Sequence, residues 1–351
     1  MSRKLKIGII GCGTIADIQA QAIIKSENAE LQSVFSRNIE KAKRCGEKYN
    51  AKWFDNLKSF ISDPDLDIVS ICTPNGNHLE YGEKAAEAGK HVIVEKPIEV
   101  TLQRANRLIE KCKANNVKLA VIYQSRFVPE IQKVKQQIED NEIGDIFMGD
   151  AFIKWFRGQD YYDSGVWRGT LKLDGGGVLI NQGIHTIDLL QWLMGDVDTI
   201  YGQTDIFTHK NIEGEDNAVA VLRYKNGAIG VIEGSTSVQP AQSRRIELHG
   251  KKGSVIIDDN NVEIKIESQQ NSWTTEENET KSSGASSPLA GFSIEPHKKQ
   301  FEAIVDAINT DSTPPVSGEE SLKSLAVVLA IYESSKLNSV VRLDEFIEQN
   351  S

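Results

Sequence analysis

Residues 6–16 read KIGIIGCGTIA, and the fold class follows from how that stretch divides. KIGII is a short apolar run of the kind that forms a buried strand, and a helical pattern begins at about Ala16. The glycines between them must turn the chain from strand to helix. In this G-x-G-x-x-A pattern Gly11 permits the tight turn, Gly13 lets the backbone approach a pyrophosphate, and Ala16 lets the helix lie close on the sheet. Thr14 and Ile15 complete the turn, where free helix N–H groups and the helix dipole favour a phosphate.

Working outward, the same alternation repeats. LQSVF (31–35), IVSIC (68–72), HVIV (91–94) and residues 118–122 read as further strands, with helical patterns between them. Such spacing predicts a parallel, doubly wound sheet with right-handed crossovers. After Tyr123 the pattern changes. Helices at 129–140 and 181–194 flank a strand at 146–155 and a glycine-rich stretch, then strands follow at 199–207, 218–224, 228–236, 244–250, 254–258 and 262–267. Asn226-Gly227 is a hairpin signal between two of them. The expectation is an α/β chain: a Rossmann domain over 1–122, and an α+β domain with a large, mostly antiparallel open sheet over 123–351. The polar run 268–287 reads as a mobile loop. Helices at 298–309 and 318–337 close the chain. The second contains LAVVLAIY, apolar on more than one face, which predicts that it packs between the domains.

A chain of 351 residues that is 39% hydrophobic and 26% charged has material for two ordinary cores. A net charge of -10 argues against nucleic acid and anionic membranes as partners, since both are bound through clustered cations. No apolar run approaches the ~20 residues of a membrane span, and a strand starts too soon after Met1 for a signal peptide. Cys12, Cys45, Cys72 and Cys112 are scattered, with no metal-ligand spacing to the six histidines. A cytoplasmic protein without metal or disulfide is expected.

Three places carry chemistry. The second strand ends in Phe35-Ser36-Arg37-Asn38, with no carboxylate to hold ribose hydroxyls. Ser36 and Arg37 suit a 2′-phosphate, so NADP(H) is favoured over NAD(H), although Arg37 stacked on adenine would serve either cofactor. Lys96, in Glu95-Lys96-Pro97, follows the fourth strand at the edge where such sheets bind ligands. It reads either as a solvated charge or as an ammonium that stabilises an alkoxide. On the helix from Asn181, His185 lies four residues after Asn181 and three before Asp188, so the three share a face. His185 reads as a satisfied core residue or as an acid/base group oriented by Asp188. Just before it, Asp174-Gly175-Gly176-Gly177 lets the backbone pass close to a ligand.

Taken together, GIIGCGTIA (8–16), ICTPNGNH (71–78), EKP (95–97) and GGGVLINQGIHTIDLLQWLMG (175–195) resemble the Gfo/Idh/MocA oxidoreductase family, in the right order along essentially the whole chain. YYDSGVWRGT (161–170), running on to NQGIH (181–185), is similar to its nucleotide-sugar branch, the bacterial UDP-N-acetyl-2-amino-2-deoxyglucuronate dehydrogenases, which oxidise C3 of a nucleotide sugar. The resemblance implies that Lys96 is the catalytic lysine and His185 the acid/base. It places Thr73, Pro74, Asn75, His78 and Glu95 on the nicotinamide half of the cofactor site, with Trp167 and Arg168 reaching the cofactor. Tyr123, Gln124, Arg126, Tyr162, Asn181 and Gln182 would border the substrate. Many members carry an aspartate where Asn181 stands, so one candidate base is removed and His185 is left. Ser36-Arg37 also replaces an acidic residue frequent in that branch.

The function so implied is NAD(P)-dependent hydride transfer at a secondary alcohol or ketone of a sugar, at C3 of a UDP-sugar such as UDP-N-acetylglucosaminuronate. The alternatives are a dehydrogenase or reductase of a free sugar, inositol or anhydro-ketose, and a non-catalytic NADP(H)-binding sensor that would have no need of Lys96 and His185. AVAVLRY (218–224) and AIGVIEG (228–234) are apolar on both alternating faces, which predicts a homodimer or homotetramer through the second sheet.

Overall fold

A computed structural model describes residues 3–258, 262–266, 273–274 and 293–351. It divides into two compact units, Met1–Phe127 with Ile294–Leu322, and Val128–Ser293 with Lys323–Ser351. In the first, the strands are β1 (Leu5–Ile10), β2 (Ala29–Phe35), β3 (Lys52–Phe54), β4 (Ile68–Ile71), β5 (His91–Val94) and β6 (Leu119–Val121). They form one sheet in the order β3-β2-β1-β4-β5-β6, parallel throughout. Ile7, Ile9, Ile68, Ile71 and Ile93 are fully buried, as strands covered on both faces must be. Helices α1 (Thr14–Lys25), α2 (Ile39–Tyr49), α3 (Leu57–Ile61), α4 (His78–Glu87) and α5 (Leu102–Ala114) make the crossovers. Asn38, Asn56 and Thr101 cap α2, α3 and α5 through their side chains. The strand order reverses between β1 and β4, the place where such sheets bind ligands at their carboxyl edge.

The second unit contains α6 (Pro129–Glu139), β7 (Ile146–Lys154), the single turn α7 (Gln159–Asp163) and a π-helical turn (Val178–Gly183) that runs into α8 (Ile184–Met194). Then come β8 (Val197–Asp205), β9 (Asn217–Tyr224), β10 (Ile229–Ser235), β11 (Arg245–Gly250), β12 (Gly253–Asp258), β13 (Val262–Ile266) and β14 (Trp273–Thr274). With β15 (Val341–Arg342) they make a nine-stranded sheet in the order β14-β13-β12-β11-β7-β10-β9-β8-β15. Among the described residues only the β7–β10 pairing of this sheet is parallel. Gly227, at φ +89°, makes the β9–β10 hairpin turn. Ala218, Ala220, Leu222 and Tyr224 of β9 face inward, while Val219 and Val221 are more than half exposed. Gly149 of β7 lets α8 lie close, since a Cβ there would meet the Met194 sulfur at 2.4 Å.

The chain ends with α9 (Glu295–Asn309), α10 (Gly318–Leu337) and α11 (Leu343–Asn350). Here the domain boundary read from the sequence needs correction, because 123–351 is not one unit. Phe301, Ile304 and Val305 of α9 are buried in the same core cluster as Ala16, Ala20 and Ile23 of α1. Asn28 Nδ2 donates to Glu302 O at 2.9 Å and Gln300 Nε2 to Val121 O at 2.8 Å. The division between units falls after Leu322, inside α10. Leu325, Ala326, Val327, Val328, Ala330 and Ile331 of that helix are fully buried. Of the polar run 268–287, only Trp273–Thr274 lie within the described residues, paired with β13. Among the described residues no helix is long and apolar enough to cross a membrane.

Candidate functional site

The loops at the carboxyl edge of the first sheet bring together most of the residues assigned to the cofactor. Gly11 has φ +108°, and a Cβ there would lie 2.5 Å from Cys72 O, so only glycine fits. Gly13 is different: a Cβ there would meet nothing within 4 Å. It is the N-cap of α1 and offers no side chain to the first turn. The helix start is therefore open to an anionic group, which is what a dinucleotide pyrophosphate requires. After β2, Ser36 Oγ accepts from Asn38 N at 3.2 Å, and Arg37 is exposed. Thr73 Oγ1 and Gln124 Oε1 are buried without a hydrogen-bond partner among the described residues. These orphaned atoms and the open α1 terminus fit a dinucleotide.

Two of these loops are braced from below. His78 is fully buried, with Nδ1 2.9 Å from Pro97 O and Nε2 3.2 Å from Thr73 O, and burial holds its pKa below the usual histidine value. It ties the loop after β4 to the loop after β5. Glu99, also fully buried, accepts from Leu79 N (3.0 Å), Val100 N (2.8 Å) and Arg104 Nε (2.9 Å). Arg104 reaches on to Gly76 O at 3.0 Å. Glu95 is buried beneath Lys96: its carboxylate accepts from Gln19 Nε2 at 2.5 Å and from Lys96 N at 3.2 Å, and burial pushes its pKa up. Ser70 Oγ donates to Gln19 Oε1 at 2.6 Å. Lys96 and Thr73 are half-buried and Asn75 is buried. Past β6, Tyr123 is fully buried, and Arg126 is buried with its guanidinium on Glu320 Oε1 at 3.0 Å.

The second unit gathers Trp167, Arg168, Asn181 and Gln182 by a different route. Its hub is Tyr161, whose hydroxyl accepts from Arg168 Nη1 at 2.6 Å and from Gln182 Nε2 at 3.1 Å. With two hydrogens accepted, that hydroxyl keeps its own proton to donate. The Arg168 guanidinium lies 4.2 Å from the Tyr161 ring centroid and 4.6 Å from that of Trp167, and Arg157 stacks on Trp155 and Tyr161. Asn181 Nδ2 donates to Asp174 Oδ1 at 2.5 Å, while Asp174 Oδ2 accepts from Gly169 N at 2.8 Å. An aspartate at 181 would set a second carboxylate against Asp174 and force one of them to keep its proton. His185 stands on the first turn of α8, half-buried, with Asp188 fully buried one turn on.

Tyr162, expected on the substrate side, is buried, with its hydroxyl on Thr236 Oγ1 at 2.9 Å and its ring against His209. Sequence reasoning missed Tyr161, Asp174 as a partner of Asn181, and the carboxylates of Glu215 and Asp216. Asp216 accepts from the backbone N of Phe207, Thr208 and His209 and from His209 Nδ1, and His209 Nε2 sits 2.7 Å from Arg157 O. These donors hold its pKa below the usual carboxylate range despite its burial. The signal available was weak, a Glu215-Asp216 pair just before an alternating strand. Among the described residues no group of three or more His, Cys, Asp or Glu could hold a metal ion.

Residues 5–123 match the model of the oxidoreductase family GFO_IDH_MocA, NAD-binding Rossmann fold, and residues 135–343 match its C-terminal alpha/beta domain. The chain is similar to the WlbA dehydrogenase from Bordetella pertussis, whose crystal structure is in complex with NADH and UDP-GlcNAcA. The two are 29% identical over 97% of this chain and 98% of that one, with a TM-score of 0.84. It is 26% identical to myo-inositol 2-dehydrogenase of Thermotoga maritima over 98% of this chain and 100% of the relative. With D-glucoside 3-dehydrogenase of Escherichia coli it shares 24% identity over 97% of this chain and 98% of the relative.

The brace around Glu99 generates a prediction. Glu99→Ala strands two backbone donors and the Arg104 guanidinium, and should cost about 3 kcal/mol of stability. It should also weaken binding of the reduced cofactor. Chemical denaturation and a fluorescence titration check the two effects.

Proposed function

Because the chain belongs to the Gfo/Idh/MocA oxidoreductase family, we propose that it oxidises a secondary hydroxyl of a sugar, at C3 of a UDP-sugar such as UDP-N-acetylglucosaminuronate, or reduces the corresponding ketone. The observation that carries this reading is the full-length likeness to a dehydrogenase whose crystal structure is in complex with NADH and UDP-GlcNAcA. A free sugar or inositol is the second reading, favoured by the likeness to myo-inositol 2-dehydrogenase.

When bound, the nicotinamide supplies the two-electron acceptor or donor of the reaction. The residues of this chain supply orientation, proton transfer and electrostatics. Gly11, Gly13, Thr14 and Ile15 hold the pyrophosphate at the start of α1, and Thr73, Pro74 and Asn75 hold the nicotinamide half. His185 takes the proton of the reacting hydroxyl. The Lys96 ammonium, set over the Glu95–Gln19 network, stabilises the alkoxide that develops. Tyr161 donates to the sugar, and Asn181 and Gln182 fix its orientation. Ser36 and Arg37 favour NADP(H) over NAD(H), because no carboxylate stands after β2 to repel a 2′-phosphate.

The exposed Val219 and Val221 of β9 and Ile229 of β10 lie on the outer face of the second sheet, and we take that face as the contact with a second copy of the chain. The chain is proposed to act in the cytoplasm.

Three outcomes follow. Lys96→Met and His185→Ala should each lower kcat by about 10²–10⁴-fold while the affinity for reduced cofactor stays within about twofold. Absorbance of the reduced nicotinamide with UDP-N-acetylglucosaminuronate reads the first effect, and full turnover by both variants would retire the assignment. Arg37→Ala should weaken NADPH binding by about tenfold or more and leave NADH binding unchanged, as measured by calorimetry. Light scattering should give a mass of two or four chains.

A further inference from the structure

Three consecutive N–H groups at the start of the π-helical turn end on one residue. Gly177 N donates to Glu215 Oε2 at 2.9 Å, Val178 N to the Glu215 carbonyl at 2.9 Å, and Leu179 N to Glu215 Oε1 at 2.8 Å. Tyr332 of α10 donates its hydroxyl to the same Oε1 at 3.0 Å. The approach is as close as a backbone allows, because a Cβ on Gly177 would lie 1.7 Å from Glu215 O. A π-turn is rare, and the N–H groups at its start need acceptors from outside. This turn carries Asn181 and Gln182 and hands over to α8 one residue before His185.

We infer that Glu215 is a positioning residue of the reaction: as a carboxylate it holds the π-helical turn that presents Asn181 and Gln182 and sets where His185 begins its helix. The kinetic consequence rests on the dehydrogenase reading above; the structural role does not. The groups that bond the carboxylate are all neutral, so burial pushes its pKa up to about 7. The titratable groups that face it are Tyr332 from α10, Tyr162 from α7 and the adjacent Asp216. Both phenols are pushed up by burial and Asp216 is held down, so none of them changes charge near neutrality. As pH falls through that region Glu215 gains a proton and confronts three donors with a fourth. The neutral acid is a weaker acceptor than the carboxylate, so the bonds from Gly177 N–H, Leu179 N–H and the Tyr332 hydroxyl weaken and the turn is held less tightly.

The test has a readout that needs no substrate. In the full-length protein the amide resonances of Gly177 and Leu179 should titrate with a midpoint near 7, Glu215→Gln should abolish that titration, and Tyr332→Phe, which removes a donor to the charged form, should raise its midpoint. With the sugar the wild type turns over, Glu215→Gln should lower kcat about tenfold or more, the scale of a misplaced catalytic group, while cofactor affinity stays within about twofold. Amides that stay flat between pH 6 and 8, a midpoint that ignores Tyr332→Phe, or loss of kcat, cofactor binding and melting temperature together in Glu215→Gln would overturn the proposal. A wild type that turns over no sugar would count against the dehydrogenase reading, and the amide titration would still decide the role of Glu215.

Discussion

Loops that carry reactive side chains leave the regular ladders, so their N–H groups need acceptors from elsewhere. In this protein buried carboxylates supply them. Glu99 takes Leu79 N and Val100 N under the loops after β4 and β5, and Glu215 takes Gly177 N and Leu179 N ahead of His185. Asp216 takes Phe207, Thr208 and His209, and Asp174 takes Gly169. A carboxylate with several N–H donors is held in one geometry, because releasing any of them leaves a buried polar group unpaired. The segments these carboxylates hold thus gain the rigidity of the sheets behind them.

The carboxylates differ in what balances their charge. Glu99 has the Arg104 guanidinium, which also bonds Gly76 O and so links three segments of one edge. Among the described residues Glu215 is bonded by neutral donors, including two backbone N–H groups of the turn and a phenol. The first arrangement clamps the segments after β4 and β5 with a charge pair. The second leaves a buried acid against the segment that leads to His185. Tyr161 adds a polar centre to that unit, joining Arg168 to Gln182 through one hydroxyl.

Most of the architecture was legible because its causes are local. The strand–glycine–helix step at 6–16, the alternating strands after it and the Asn226-Gly227 hairpin each depend on neighbours in sequence. What could not be read depends on distant contacts. β3 has three residues, too few to show a period. The docking of α9 on α1 joins Asn28 to Glu302 across most of the chain, and nothing in an amphipathic helix says which core it completes. The π-helical turn reads from the sequence like the first turn of α8, because the contacts at its start come from distant Glu215 rather than from its own side chains. Tyr161 and Tyr162 are adjacent on a single helical turn, and only the fold decides that one meets Arg168 and Gln182 while the other is buried on Thr236. Gly11 and Gly13 were legible because the spacing of strand, glycines and helix is itself the signal, whereas Lys96 and His185 were assigned roles only through the resemblance. Their supports were not legible, since a carboxylate that accepts backbone N–H groups leaves no periodic trace.

Hydride transfer from C3 of a nucleotide sugar is tested most directly by isotope. UDP-N-acetylglucosaminuronate carrying deuterium at C3 is incubated with the protein and oxidised nicotinamide dinucleotide, and both products are read by mass spectrometry and NMR. The predicted result is deuterium at C4 of the reduced nicotinamide and a ketone at C3 of the sugar. Deuterium that remains in the sugar while a free inositol or hexose reduces the cofactor, or deuterium lost to water, would contradict it.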